Sequence, residues 1–325
     1  MIGHRIVLSA IAALCVAAVA DRADAQAYPD KPIRIIVPAG AGGPTDLPAR
    51  LASQILPPKF GQPVVIENRP GVGGVLGARA VIASAPDGYT LMAGNTSVLA
   101  VFPSVSASAG YDPRTAFAPI AKVSESYQIL VVQPSSPWKT IKDLVDHAKA
   151  NPGTLNYAHT GGGGLPHLTG ELFRARSGAN VVGVPYRSGG EAVTAVLSNA
   201  VHFTFESITI LLPLIRDGKV RALAITSRTR TPLAPDLPTM IEAGVPDYEV
   251  TTFNGLVAPA GTPASIVNTL NAAMNEGLAT PDVKAMIARL GAVSPLGTPA
   301  EFAAFIAAQN EKWRGVAKAA NIKVE

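Results

Sequence analysis

Short apolar or β-branched runs alternate with amphipathic stretches along most of this chain. Runs at 33–37, 64–67 and 90–93 read as strands, and 45–56 and 73–85 between them carry apolar residues at helical spacing. This is the rhythm of βαβ units in a mostly parallel sheet. A second series follows, with helices at 140–150, 165–177, 190–197 and near 211–216, and strands at 155–159, 181–185, 202–205 and 220–226. Two such series in tandem predict two α/β lobes. Beyond them, 249–258 reads as one more strand. The stretches 263–278, 281–290 and 299–319 read as helices that open at or beside a proline, which suits a first helical turn. This tail has too little strand for a sheet of its own, so it is expected to pack back on the first lobe. The chain then crosses between lobes twice, at 129–133 and 248–253. The expected division is 1–25 as a leader, 26–130 with 250–325 as lobe 1, and 131–249 as lobe 2. Two crossings make a hinge, and a hinge between two lobes makes a cleft.

In open α/β sheets, ligands bind beyond the carboxyl ends of strands, beside helix N-termini. Five polar loops meet that condition. The first runs from Pro38 to Asp46, where Gly40, Gly42 and Gly43 let backbone N–H groups turn inward and Thr45 is a natural helix N-cap. Oriented amides at a helix start suit a carboxylate or phosphate, although a plain tight βα turn explains the same residues. The second loop is Asn95-Thr96-Ser97, with three hydrogen-bonding side chains. The third, from Thr160 through Gly161 to His167, repeats the sequence strand, glycine turn, helix. The fourth carries Tyr186 and Arg187, and the fifth is Glu206-Ser207 at a strand end. Thr45 and Asp46 equally read as helix-capping residues, and His167 as a support for its own loop.

Composition acts mainly by exclusion. Arg5, an uncharged apolar run of 15 residues from Ile6 to Ala20, and then Ala23-Asp24-Ala25 read as an export leader cleaved after Ala25, with Ala27 as the alternative. That run is shorter than the ~20 residues of a spanning helix. The one cysteine, Cys15, falls in the leader, so the mature chain offers no disulfide, thiolate metal site or cysteine nucleophile. The net charge of +4 survives removal of the leader, because Arg5 and Arg22 leave together with Asp21 and Asp24. Basic residues do not cluster with aromatics, which argues against nucleic acid as a partner. No Gly-Lys-Ser/Thr phosphate loop, Gly-x-Ser-x-Gly elbow or His-Glu-x-x-His pattern occurs. Glu206 has no second acid, base or nucleophile identifiable beside it, so no enzyme, metal or cofactor is expected.

The residues resemble the substrate-binding proteins of tripartite tricarboxylate transporters, the Bug receptors. The likeness rests on Tyr28-Pro29-Asp30-Lys31-Pro32-Ile33-Arg34, the turn Gly42-Gly43-Pro44-Thr45-Asp46, and Gly61-Gln62-Pro63-Val64-Val65-Ile66-Glu67-Asn68-Arg69-Pro70-Gly71. It continues in Ala85-Pro86-Asp87-Gly88-Tyr89-Thr90-Leu91, Val184-Pro185-Tyr186, Leu237-Pro238-Thr239-Met240, Glu242-Ala243-Gly244 and Ala258-Pro259-Ala260-Gly261-Thr262-Pro263. The resemblance implies a monomeric two-lobed periplasmic binding protein of the type II, Venus-flytrap kind. Such a protein closes on a small di- or tricarboxylate or aromatic acid and delivers it to a membrane permease, or alternatively to a sensor kinase. An exported enzyme acting on carboxylates in the same cleft is the remaining alternative. The resemblance implies that Gly42, Gly43, Thr45 and Asp46, with Asn95, Thr96 and Ser97, face Thr160, Gly161, His167, Tyr186, Glu206 and Ser207 across the cleft. It also marks departures. Ala39 and Ala41 stand where the family often has bulky residues, Gly163 to Pro166 replace hydroxyls before His167, and Glu206 stands where an Asp is common. The last position implies recognition of a ligand amine, amide or hydroxyl.

Overall fold

The first strand, β1 (Ile33–Val37), is buried along nearly its whole length, as a near-continuous apolar run should be when both faces of its sheet are covered. In the computed structural model, which describes residues 28–42, 44–160 and 164–322, β1 pairs in parallel with β2 (Val64–Asn68) and β3 (Thr90–Asn95). The crossovers are α1 (Leu47–Phe60) and α2 (Val75–Ile82). Helix α1 stops at Gly61, whose φ of 67° puts it in the left-handed region that ends a helix at little cost to glycine. The expected leader lies outside the described residues.

A second parallel group is built in the same way. β5 (Leu155–Thr160) pairs with β6 (Val181–Tyr186) and β7 (Phe203–Ser207), linked by α4 (Leu165–Ser177) and α5 (Gly189–Leu197). Before it, α3 (Ile141–Ala150) starts on a reciprocal capping box between Thr140 and Asp143. After it come α6 (Ile208–Arg216) and β8 (Arg221–Ile225).

What joins the two groups is β4 (Phe117–Val132), a strand of 16 residues of which the sequence pattern marks only the end. Pro119, Lys122 and Glu125 break its alternation, and its pairing register shifts at Pro119/Ala121 and Lys122/Ser124. As far as Tyr127, β4 runs antiparallel to β9 (Thr251–Pro259); from Gln128 onward it runs antiparallel to β7 and β8. The strand order is β2-β1-β3-β9-β4-β7-β5-β6, with β8 and β10 (Ala292–Val293) also paired to β4. The outer strands are parallel, as the rhythm predicts. The long strands that carry the chain between lobes are antiparallel, so the sheet is mixed. The molecule is a two-lobed α/β protein hinged where β4 changes partners.

Thr226 sews that hinge together. Its side chain accepts from the Gln128 N–H at 3.0 Å and donates to the Val250 carbonyl at 2.7 Å. Its backbone N–H donates to the Gln128 carbonyl at 2.9 Å, and its own carbonyl accepts from Val250 at 2.9 Å. The C-terminal helices α7 (Ala264–Leu278), α8 (Pro281–Arg289) and α9 (Pro299–Ala319) pack back over the sheet. Val267, Leu270, Met274 and Leu278 share a core with Ile33, Ile35 and Leu56. Phe302, Ile306 and Trp313 of α9 join a core that extends to Tyr157, Phe173 and Tyr248 of the other lobe. Among the described residues, no helix is long and apolar enough to cross a membrane.

Candidate functional site

A cleft of about 570 Å³ lies between the lobes, within the size range of small-molecule sites. One side is lined by Gly42, Leu47, Arg50, Ser124, Ser126, Thr252, Asn254, Leu290 and Ala292. The other is lined by Gln128, Leu165, Pro166, Glu206, Ser207, Thr209 and Ile210. The second half of β4 and the start of β9 form the floor, while the first turns of α1, α4 and α6 border the cavity. At one end the lobes touch: the Thr209 hydroxyl donates to the Leu290 carbonyl at 2.6 Å. Gly291 makes this approach possible, since a Cβ there would lie 2.7 Å from Thr209 Oγ1 and its φ is 68°.

Asp46, buried at 1% exposure, shapes the glycine turn. Its carboxylate accepts from the Gly42 N–H at 2.9 Å, from Arg50 Nε at 2.8 Å and from Asn68 Nδ2 at 3.2 Å. Burial pushes this carboxyl up, but the hydrogen bonds from Gly42, Asn68 and Arg50 outweigh that and hold it below its ordinary value. Arg50 is the one cation among the described lining residues, and its guanidinium sits 2.6 Å from the Asp46 carboxylate. Its charge is thus largely committed to Asp46.

Glu206 lines the cleft from the opposite lobe, with its carboxylate packed against Gly189 at the start of α5. It is 8% exposed, and its Oε1 accepts only from the adjacent Ser207 N–H at 2.7 Å. Burial pushes the Glu206 carboxyl above its ordinary range, with the Ser207 N–H opposing part of the rise. Because the folded-state value is raised, ionised Glu206 costs stability at neutral pH, and that cost vanishes as the pH falls below the unfolded value of ~4.3. Glu206→Gln should therefore raise Tm by a few degrees at pH 7 and give no gain near pH 3.5, read by thermal unfolding at both pH values. An equal gain at both would mean that the charge is not the cause.

Of the residues singled out in the sequence, Gly42, Glu206 and Ser207 line the cleft. The other described ones make the following contacts. Asn95 donates to Thr45 at 2.8 Å, joining β3 to the start of α1. Thr96 accepts from the Phe253 N–H at 2.7 Å and donates to the Phe253 carbonyl at 3.2 Å, tying β3 to β9. Ser97 donates to the Gly73 carbonyl at 3.2 Å. Thr160 ends β5 opposite Tyr186, which packs against a small core containing Ala192 and Val196. His167 stacks on His159 with centroids 4.3 Å apart, and burial pushes its imidazole down. Gly43 and Gly161 lie outside the described residues. No group of three His, Cys, Asp or Glu side chains that could hold a metal occurs among the described residues.

Residues 49–322 match the tripartite tricarboxylate transporter family receptor. The chain belongs to that family. Protein BugT of Bordetella pertussis is 36% identical over 313 residues, covering 96% of each chain. Among solved structures, Rpa4515 of R. palustris, determined with adipate, is 33% identical with a TM-score of 0.75, covering 91% of this chain and 99% of that one. MatC of Rhodopseudomonas palustris, with bound malate, is also 33% identical, with a TM-score of 0.72 over 89% of this chain and 99% of its own. The resemblance read from the motifs and the two-lobed fold are both shown by these matches. In this member of the receptor family, the floor residues Ser124, Ser126, Gln128, Thr252 and Asn254 escape the sequence reading. They sit within strands β4 and β9, whereas the rule of strand ends and glycine turns looks only at loops.

Proposed function

We propose that this chain is a periplasmic solute receptor that holds a small carboxylate in the interlobe cleft and presents it to a membrane permease. The observation that carries this reading is the convergence of three helix N-termini on one cavity: Leu47 of α1, Leu165 and Pro166 of α4, and Ser207 with Thr209 at the start of α6 all line it. Each helix start carries partial positive charge, which suits an anion without an arginine clamp. That fits an Arg50 already paired to Asp46. Relatives solved with adipate and malate support a carboxylate as the anion. The apolar part of the lining, Leu47, Leu165, Pro166, Ile210 and Leu290, provides for a carbon skeleton. We place the lobes at 26–130 with 250–325 and at 131–249, moving about the β4 and β9 crossings, with the 1–25 leader directing export. The receptor carries no catalytic activity of its own, because Glu206 is the lone carboxyl among the described lining residues and lacks an acid–base partner.

Thermal unfolding of the mature protein against mono-, di- and tricarboxylates, aromatic acids and amino acids tests this reading. A ligand at about 100 times its Kd should add roughly 2.7 kcal/mol, or several degrees in Tm. Recovery of that ligand unchanged would confirm a receptor. No shift with any acid would overturn the carboxylate assignment.

A further inference from the structure

Ser126 and Thr252 stand directly opposite each other where β4 pairs with β9, and both line the cleft. The side chains of an opposed antiparallel pair share one face at about 5 Å between Cβ atoms, so the two hydroxyls lie side by side on the floor. Neither makes a hydrogen bond to another described residue, and neither is sealed from solvent. Two adjacent O–H donors with no internal acceptor suit the two oxygens of a carboxylate. The pair is clear of Glu206, which stands opposite Ile129, three residues further along β4. On its other side Ser126 pairs with Ala292, and Leu290 lies two residues before that at the rim. Ile210 lines the cleft from the opposite lobe, beside the Thr209–Leu290 hydrogen bond. Leu290 is 45% exposed and Ile210 42%, and neither packs against a hydrophobic core. Large apolar side chains left bare inside a cavity suit the carbon skeleton of a ligand. The charges set a limit on that ligand. Arg50 is paired to Asp46, and the Glu206 carboxyl accepts only from the Ser207 N–H. Against Glu206, three helix starts of about half a positive charge each balance one ligand carboxylate at most.

We propose that the cleft receives an acid with a single carboxylate and an apolar body, either a hydrocarbon chain or one ring. Ser126 and Thr252 hold the carboxylate, and the body covers Leu290 and Ile210. The inference rests on the receptor reading above and narrows its ligand class. Neutral hydroxyls hold a carboxylate less strongly than a cation does, so burial of the body carries much of the affinity. Because Leu290 belongs to one lobe and Ile210 to the other, a body that covers both favours the closed form.

Isothermal titration with two matched pairs tests the proposal: hexanoate against adipate, and 4-methylbenzoate against terephthalate. Within each pair a methyl group becomes a second carboxylate on an otherwise unchanged skeleton. Propionate serves as the acid without a body. In whichever pair binds, the monocarboxylate is expected to bind about tenfold or more tightly than its dicarboxylate, which must bury an unbalanced charge. Propionate should bind about tenfold or more weakly than the better monocarboxylate, for want of buried methylene groups. Ser126→Ala and Thr252→Val should each weaken that monocarboxylate about tenfold, the effect of one lost hydrogen bond to a charged group. Ile210→Asn should narrow its lead over propionate. Equal or tighter binding of the dicarboxylate overturns the proposal and leaves the receptor reading intact. Unchanged affinity in both hydroxyl variants overturns the seat at Ser126 and Thr252 in the same way. Binding of none of the five acids overturns the proposal, and the wider panel of acids above then decides whether the receptor reading falls with it. If Thr252→Val does not fold, Thr252→Ala takes its place, and the wild-type pairs decide the ligand class without any variant.

Discussion

Thr226→Val is expected to lower the stability of the protein by about 2–6 kcal/mol, from two buried backbone groups each left short of a partner at about 1–3 kcal/mol. Valine fills the same volume as threonine but can neither accept from the Gln128 N–H nor donate to the Val250 carbonyl, bonds that measure 3.0 and 2.7 Å here. Thr226 is fully buried, so water cannot stand in for the hydroxyl. The fall in Tm should be roughly 5–10 °C for a chain of this size. Thr226→Ser keeps the hydroxyl and is the control. It should cost about 1 kcal/mol for the lost methyl group. Equal losses in the two variants would show that packing, and not the clasp, sets the effect. The bonds that break are those joining the two crossings, so the valine variant should also bind its ligand more weakly than the serine variant at matched temperature.

Gly170→Ala should be almost as damaging, at about 2–3 kcal/mol by urea or thermal unfolding, because it overpacks a site with no room to give. Gly170 lies on α4 where the helix meets β5, and a Cβ there would stand 2.1 Å from Tyr157 Cζ and 2.2 Å from Cε2. The Tyr157 ring cannot step aside. It is fully buried, stacks on Phe203 at a centroid distance of 5.7 Å, and lies 5.6 Å from His159. Alanine is the better helix former by about 1 kcal/mol, so the clash must outweigh a local gain. That opposition supplies the test. In a Tyr157→Leu background the same Gly170→Ala change should be neutral or stabilising, and a loss of equal size there would place the cause elsewhere.

Much of the molecule was legible from local pattern. Strand β1 at Ile33–Val37, helix α4 at Leu165–Ser177 and helix α9 at Pro299–Ala319 have the limits their apolar spacing predicts, since a continuous buried run and a 3.6-residue stripe each specify one element. The glycine turn ending at Asp46 and the strand end at Glu206-Ser207 were visible because loops at strand ends advertise themselves through glycines and polar residues. Strand β4 was not. Its burial on both sides owes as much to strands distant in sequence as to its own residues, and Pro119, Lys122 and Glu125 mask its alternation.

By itself, the sequence determined the βα rhythm, the family motifs and the glycine turns, because each follows from the conformational preferences of residues near one another in the chain. The tertiary structure alone decided that Asp46 pins the first turn and holds Arg50, instead of facing the cleft. It alone brought Gln128, Ser124, Thr252 and Asn254 to the cleft floor and placed Thr226 between Gln128 and Val250. These are contacts between β4, β8 and β9, strands up to about 140 residues apart in the chain. No periodicity records which distant strand will lie alongside, and burial and hydrogen-bond partnership depend on that choice.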